Sequence, residues 1–94
     1  MTNGQFFSEG FFEGKFKTRN LSIASTLSAL GHQMEVLPIE GRPHLCGFIF
    51  NDTRAIRKDI TSYWERGLAI EPQLLLEQYE ILKAKIRHVL NNQN

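Results

Sequence analysis

Apolar residues recur along this chain with two different periods. Between Gln33 and Phe50 they fall on both parities of an extended strand, whereas beyond Thr53 they return every third or fourth residue. The first stretch predicts a β-hairpin over residues 33–50. Met34, Val36, Cys46, Phe48 and Phe50 line one side of it, and Leu37, Ile39, Leu45 and Ile49 line the other. A hairpin with one wet face alternates apolar with polar residues, so this one needs cover on both. Pairing Val36 with Phe48 and Met34 with Phe50 keeps like side chains opposite each other. A slip by one residue would set Glu35 among the aromatic rings. That register leaves Gly41-Arg42-Pro43 as the loop and puts Pro38 near a strand end, where its missing N–H does least harm.

Three helices surround the hairpin in sequence. Lys15–Thr18 reads as a short strand leading into the first, which Thr18 or Asn20 can cap and whose stripe is Ile23, Ala24, Leu27 and Leu30. Gly31 stands at the left-handed position after its end. Asn51-Asp52-Thr53 closes the hairpin and caps the second helix, where Ile56, Ile60, Tyr63 and Trp64 predict a buried stripe. Gly67 ends that helix by the same logic as Gly31. Pro72 opens the longest helix, which runs to about Leu90 with Leu75, Tyr79, Leu82, Ile86 and Val89 on one face. Leu74 and Ile81 widen that face. Glu71, Glu77 and Glu80 occupy the helix's first half, and Lys83, Lys85, Arg87 and His88 its second, an order that complements the helix dipole. The pattern is that of an α+β domain, a small antiparallel sheet with three helices in the order β-α-β-β-α-α, spanning residues 15–90.

Residues 1–14 differ in kind. Phe6-Phe7-Ser8-Glu9-Gly10 is followed by Phe11-Phe12-Glu13-Gly14, and five of the seven phenylalanines fall between Phe6 and Phe16, which marks an aromatic arm rather than a periodic element. Residues 91–94 form a polar tail that frays. With 94 residues the chain makes one domain and buries only about 60–65% of its unfolded surface, so a shared interface would add to its stability. Charge gives no steer toward nucleic acid or anionic membrane, because eleven Lys and Arg oppose ten Asp and Glu for a net +1.

Specific chemistry is sparse. The single Cys46 sits in the most apolar run, as a small core residue would, and a free thiol fits a reducing compartment. No charged n-region precedes an apolar segment, and the longest apolar run is far short of a membrane span, so a cytoplasmic location is expected. His32, His44 and His88 share no ligand spacing with each other, with Cys46 or with an acid, so neither a metal nor a cofactor is expected. The hairpin register places Asp52 across from His32, an arrangement read as structural. No nucleophile elbow, phosphate loop or paired-acid motif points to an enzyme. Basic residues do cluster with aromatics: Lys15, Lys17 and Arg19 flank Phe16, and Arg54, Arg57 and Lys58 share a helical turn. Such interleaving can hold a phosphate backbone and stack bases. Asp52, Asp59, Glu9 and Glu13 lie close by and dilute it.

The run Phe16-Lys17-Thr18-Arg19-Asn20-Leu21, then Ala24, Leu27 and Gly31-His32, continues with Phe48-Ile49-Phe50, Asp52, Tyr63, Gly67, Pro72 and Leu82-Lys83. Over about residues 16–89 this order resembles a family of short uncharacterised bacterial and phage proteins, known as a domain of unknown function. The resemblance implies a compact β-α-β-β-α-α domain and an association with mobile elements. It implies no activity and no catalytic residues. The expected function is therefore a non-enzymatic interaction module, self-associating or docking on a protein partner. Its candidate residues are Phe6, Phe7, Phe11 and Phe12 of the arm, with the Leu37, Ile39, Leu45 and Ile49 face. The alternative is a small nucleic-acid-binding or regulatory protein using Lys15, Lys17, Arg19, Arg54, Arg57 and Lys58.

Overall fold

The computed structural model describes residues 9–39 and 42–92, and of residues 42–44 the backbone alone. Its elements are β1 (Gly10–Phe12), β2 (Lys15–Thr18), α1 (Leu21–Ala29), β3 (Met34–Ile39), β4 (Arg42–Asn51), α2 (Arg54–Trp64) and α3 (Pro72–Asn91). The α+β class holds: an antiparallel sheet of order β1-β2-β4-β3 is combined with three helices. The element order is β-β-α-β-β-α-α, one strand more than the sequence pattern predicts.

That extra strand comes from the segment read as an arm. Glu13 (φ 52°) and Gly14 (φ 82°) both take the left-handed conformation, the geometry of a tight two-residue hairpin turn. The turn sets Phe12 opposite Lys15, Phe11 opposite Phe16 and Gly10 opposite Lys17. Two further ties hold β1 in place. The Gly14 carbonyl accepts from the Asp52 N–H at 2.9 Å. Glu9 accepts from Thr18 Oγ1 at 2.8 Å and from the Arg19 N–H at 2.9 Å. The rest of the arm, with Phe6 and Phe7, lies outside the described residues.

The central register agrees with expectation, with Met34 opposite Phe50 and Val36 opposite Phe48. Phe16, Phe48 and Phe50 therefore point to one face, where they meet Ile23, Ala24 and Leu27 of α1, Ile56 and Ile60 of α2, and Leu82 of α3. Two details of the hairpin differ from the sequence reading. Arg42 pairs with Ile39, so it is a strand residue rather than part of a loop at 41–43. The register also shifts between Pro38 and Ile39, which reverses the alternation: Pro38 is exposed while Ile39 is buried at 4%. A bulge re-aims side chains in this way. Ile39 thus leaves the outer face assigned to it.

Helix ends follow local chemistry. Asn20 Oδ1 accepts from the Ile23 N–H, Thr53 Oγ1 from the Ile56 N–H, and Glu71 from the Gln73 and Leu74 N–H groups ahead of α3. Gly31 (φ 96°) terminates α1, with the His32 N–H donating to the Leu27 carbonyl at 3.0 Å. At the end of α2 the left-handed residue is Arg66 (φ 60°) and not Gly67, whose N–H donates to the Ser62 carbonyl at 2.8 Å. A side chain in that conformation costs about 1–2 kcal/mol. Trp64 departs from the sequence reading as well: it is 64% exposed. At about 100° per residue it lies at the margin of the Ile56, Ile60 and Tyr63 stripe, on the last turn of α2.

Candidate interaction surface

β4 outruns β2. The β2 pairing reaches only as far as Thr18 opposite Phe48, because the chain turns at Arg19 and Asn20 into the cap of α1. The β4 stretch from Leu45 to Gly47 consequently has β3 on one side and no described strand on the other. A groove of about 470 Å³ occupies that place, lined by Glu9, Arg19, Asn20, Ile23, Leu45, Cys46 and Trp64. Trp64 stands at its margin with the Tyr63 ring edge-on to it at 5.1 Å, and the Tyr63 hydroxyl is 2.8 Å from Ser22 Oγ. Tyr63 thus steadies the base of an exposed indole. Leu45 is 39% exposed. Arg19 Nε lies 3.5 Å from Glu9 Oε2, a polar lip above an apolar floor. Cys46 forms a wall of the groove, and burial pushes its thiol above its ordinary 9.0, which makes it a poor nucleophile.

The outer face of the sheet collects the other half of the alternation. Row by row it carries Phe12 and Lys15, then Gly10, Lys17, Ile49 and Glu35, then Gly47 and Leu37. Phe12 is 40% and Leu37 37% exposed, and Ile49 is partly covered. The Phe12 ring lies back over Gly10, where an added Cβ would meet it at 3.5 Å. Phe11 points the other way, stacked at 5.0 Å on Phe16 and covered by the Arg57 guanidinium at 4.0 Å. Phe11 and Phe12 therefore extend the sheet at β1, at the edge opposite β3, and do not reach Leu37. Of the candidate interaction residues, Leu45 lines the groove, Phe12, Leu37 and Ile49 share the outer face, and Phe11 is committed to Phe16.

The basic candidates do not converge on one surface. Lys15 and Lys17 lie on the outer face, and Lys15 Nζ donates to Asn51 Oδ1 at 2.8 Å. Arg54, Arg57 and Lys58 belong to α2, whose Ile56 and Ile60 pack on the opposite side of the sheet. Arg57 is held by Asp52 through two bonds of 2.7 Å. Those bonds, chiefly, keep the Asp52 carboxyl below its ordinary 3.8 and raise the guanidinium. Arg19 is shared with Glu9. Lys17, Arg54 and Lys58 have no ion pair among the described residues.

Asp52 does not meet His32, as the hairpin register suggested. His32 Nε2 is 2.6 Å from Asp59 Oδ2, a pair that joins the end of α1 to α2. The turn at Gly31 carries His32 away from the strand ladder, which begins only at Met34. Among the described residues no three His, Cys, Asp or Glu side chains gather as metal ligands, and no helix is long and apolar enough to cross a membrane. The exposed Trp64 is the feature that sequence reasoning missed. Its place beside Tyr63 at the end of a helix was the available signal. No family model, curated protein or solved structure matches this chain.

Proposed function

We propose that this chain is a small non-enzymatic interaction module that docks an extended segment of a partner protein in the groove beside the overhang of β4. The observation that carries this reading is Trp64, 64% exposed at the margin of a groove whose apolar lining is Ile23, Leu45 and Cys46. Tryptophan is among the side chains most enriched at energetic centres of interfaces. A strand lacking a neighbour offers backbone groups to an added strand. Nucleic acid is the weaker reading, because Arg57 and Arg19 are already paired and the basic residues divide between two sides of the sheet.

The test compares affinity capture by the wild-type chain, Trp64→Ser, Leu45→Ser and the outer-face variant Leu37→Ser. A protein held by wild type and Leu37→Ser, but lost by both groove variants, is the expected result. Binding of that protein should also shield the sole tryptophan from iodide quenching. Equal capture by all four chains would overturn the reading. Salt-sensitive retention on DNA or RNA, weakened by Arg54→Glu and Lys58→Glu, would favour the alternative.

A further inference from the structure

α3 buries one side only. Leu82, 1% exposed, anchors it in the core, with Ile86 packed alongside, and α1, β3 and β4 are its neighbours. Ser28 Oγ donates to Gln78 Oε1 at 2.9 Å and fixes its rotation against α1. Yet four of its large apolar side chains meet solvent, on two flanks of the helix: Leu76 (65% exposed) and Tyr79 (36%) on one, Ile81 (49%) and Leu74 (37%) on the other. A shallow groove of about 400 Å³ spans the outer side from Leu76 to Ile81, with Gln73, Glu77 and Glu80 between them. Leu76 is the most exposed of the four, and it shares its flank with Glu80, Lys83 and Arg87, spaced four, seven and eleven residues on.

The charge order of the same helix selects an occupant. Glu71, Glu77 and Glu80 precede Lys83, Lys85 and Arg87. Two such helices side by side in parallel would set acid on acid and base on base. Antiparallel and fully overlapped, Pro72 faces Asn91, so Glu80 faces Lys83 and Leu76 faces Arg87, each twice across a two-fold axis. The aliphatic stem of Arg87 can then lie on Leu76 while its head stays wet. Within one chain Lys83 Nζ is already 3.7 Å from Glu80 Oε2, so the two-fold would close a four-membered ring of alternating charge. We propose that a second copy of this chain packs antiparallel on the outer side of α3, forming a homodimer.

No residue of α3 lines the β4 groove, so the dimer is independent of it. A helix of 20 residues spans about 30 Å. One helix pair of that length buries less than the roughly 800 Å² per partner of a standard interface, so association is weak, reversible and sensitive to salt.

Sedimentation equilibrium over about 0.01 to 1 mM should show the mass rising from 10.8 kDa toward twice that value. Leu76→Glu should hold the chain at the monomer mass throughout. Glu80→Lys and Lys83→Glu should each weaken the dimer about tenfold or more, and the double exchange should restore it. All variants should keep the wild-type circular dichroism, because none of the altered side chains belongs to the core. A monomer at every concentration would overturn the proposal. So would a dimer indifferent to Leu76→Glu and Glu80→Lys, or one abolished by Trp64→Ser instead.

Discussion

Leu82 and Leu76 are the same residue on the same helix, six positions apart, and the fold predicts opposite consequences for trimming them. Leu82 is 1% exposed and contacts the cluster formed by the sheet aromatics, α1 and α2, whereas Leu76 is 65% exposed. Removing a buried leucine side chain costs the lost transfer energy plus that of the cavity, about 2–5 kcal/mol. A chain of 94 residues has a total stability of about 5–14 kcal/mol, so Leu82→Ala removes a large part of it. At about 4–8 °C per kcal/mol for a domain of this size, a loss of about 3 kcal/mol lowers the Tm by about 12–24 °C. Leu76→Ala changes stability by no more than about 0.5 kcal/mol, about 4 °C at most. Thermal melts by circular dichroism at about 0.01 mM, where a weak dimer does not contribute, measure both shifts. Urea unfolding should give the same ranking with unchanged slopes. Equal destabilisation by the two variants would refute the placement of α3, and with it the claim that its outer side is free for a partner.

Three further outcomes follow from the geometry. The Asp52 carboxyl titrates below its unfolded value, so its contribution to stability is complete above that value and disappears as pH falls through the lowered one; the advantage of wild type over Asp52→Asn in urea melts should therefore shrink from pH 6 toward pH 3. Cys46, 6% exposed with its pKa raised by burial, should resist a disulfide reagent at pH 8 in the native state and react fully in denaturant; rapid native labelling would contradict its place in the groove wall. Gly14→Ala should cost about 1 kcal/mol although nothing lies within 4 Å of the added Cβ, because φ is 82° there, and Gly14→Asn should cost less; an alanine variant as stable as wild type would argue against the β1–β2 turn.

Helix starts and strand parity, which neighbouring residues decide, were legible in the sequence. Asn20, Thr53 and Glu71-Pro72 start helices because a side-chain oxygen meets an N–H two or three positions on. The pairing of Met34 with Phe50 and Val36 with Phe48 follows from parity, since a one-residue slip would carry every apolar side chain to the wrong face. Even β1 had a local sign in Glu13-Gly14, an X-Gly pair between two strand-like runs, though the adjacent glycines of the arm concealed it. Other misreadings arose where parts of the fold compete. Ile39 is buried because a bulge at Pro38 overrides strand alternation, and Arg57 serves Asp52 and Phe11 because β1 brings an aromatic ring beneath α2. Trp64 is exposed because β2 ends at Thr18 and leaves β4 without a neighbour where the end of α2 passes. Periodicity shows which side chains seek burial. Only the assembled fold decides which find it, because three helices on one sheet leave room for some apolar stripes and not for all.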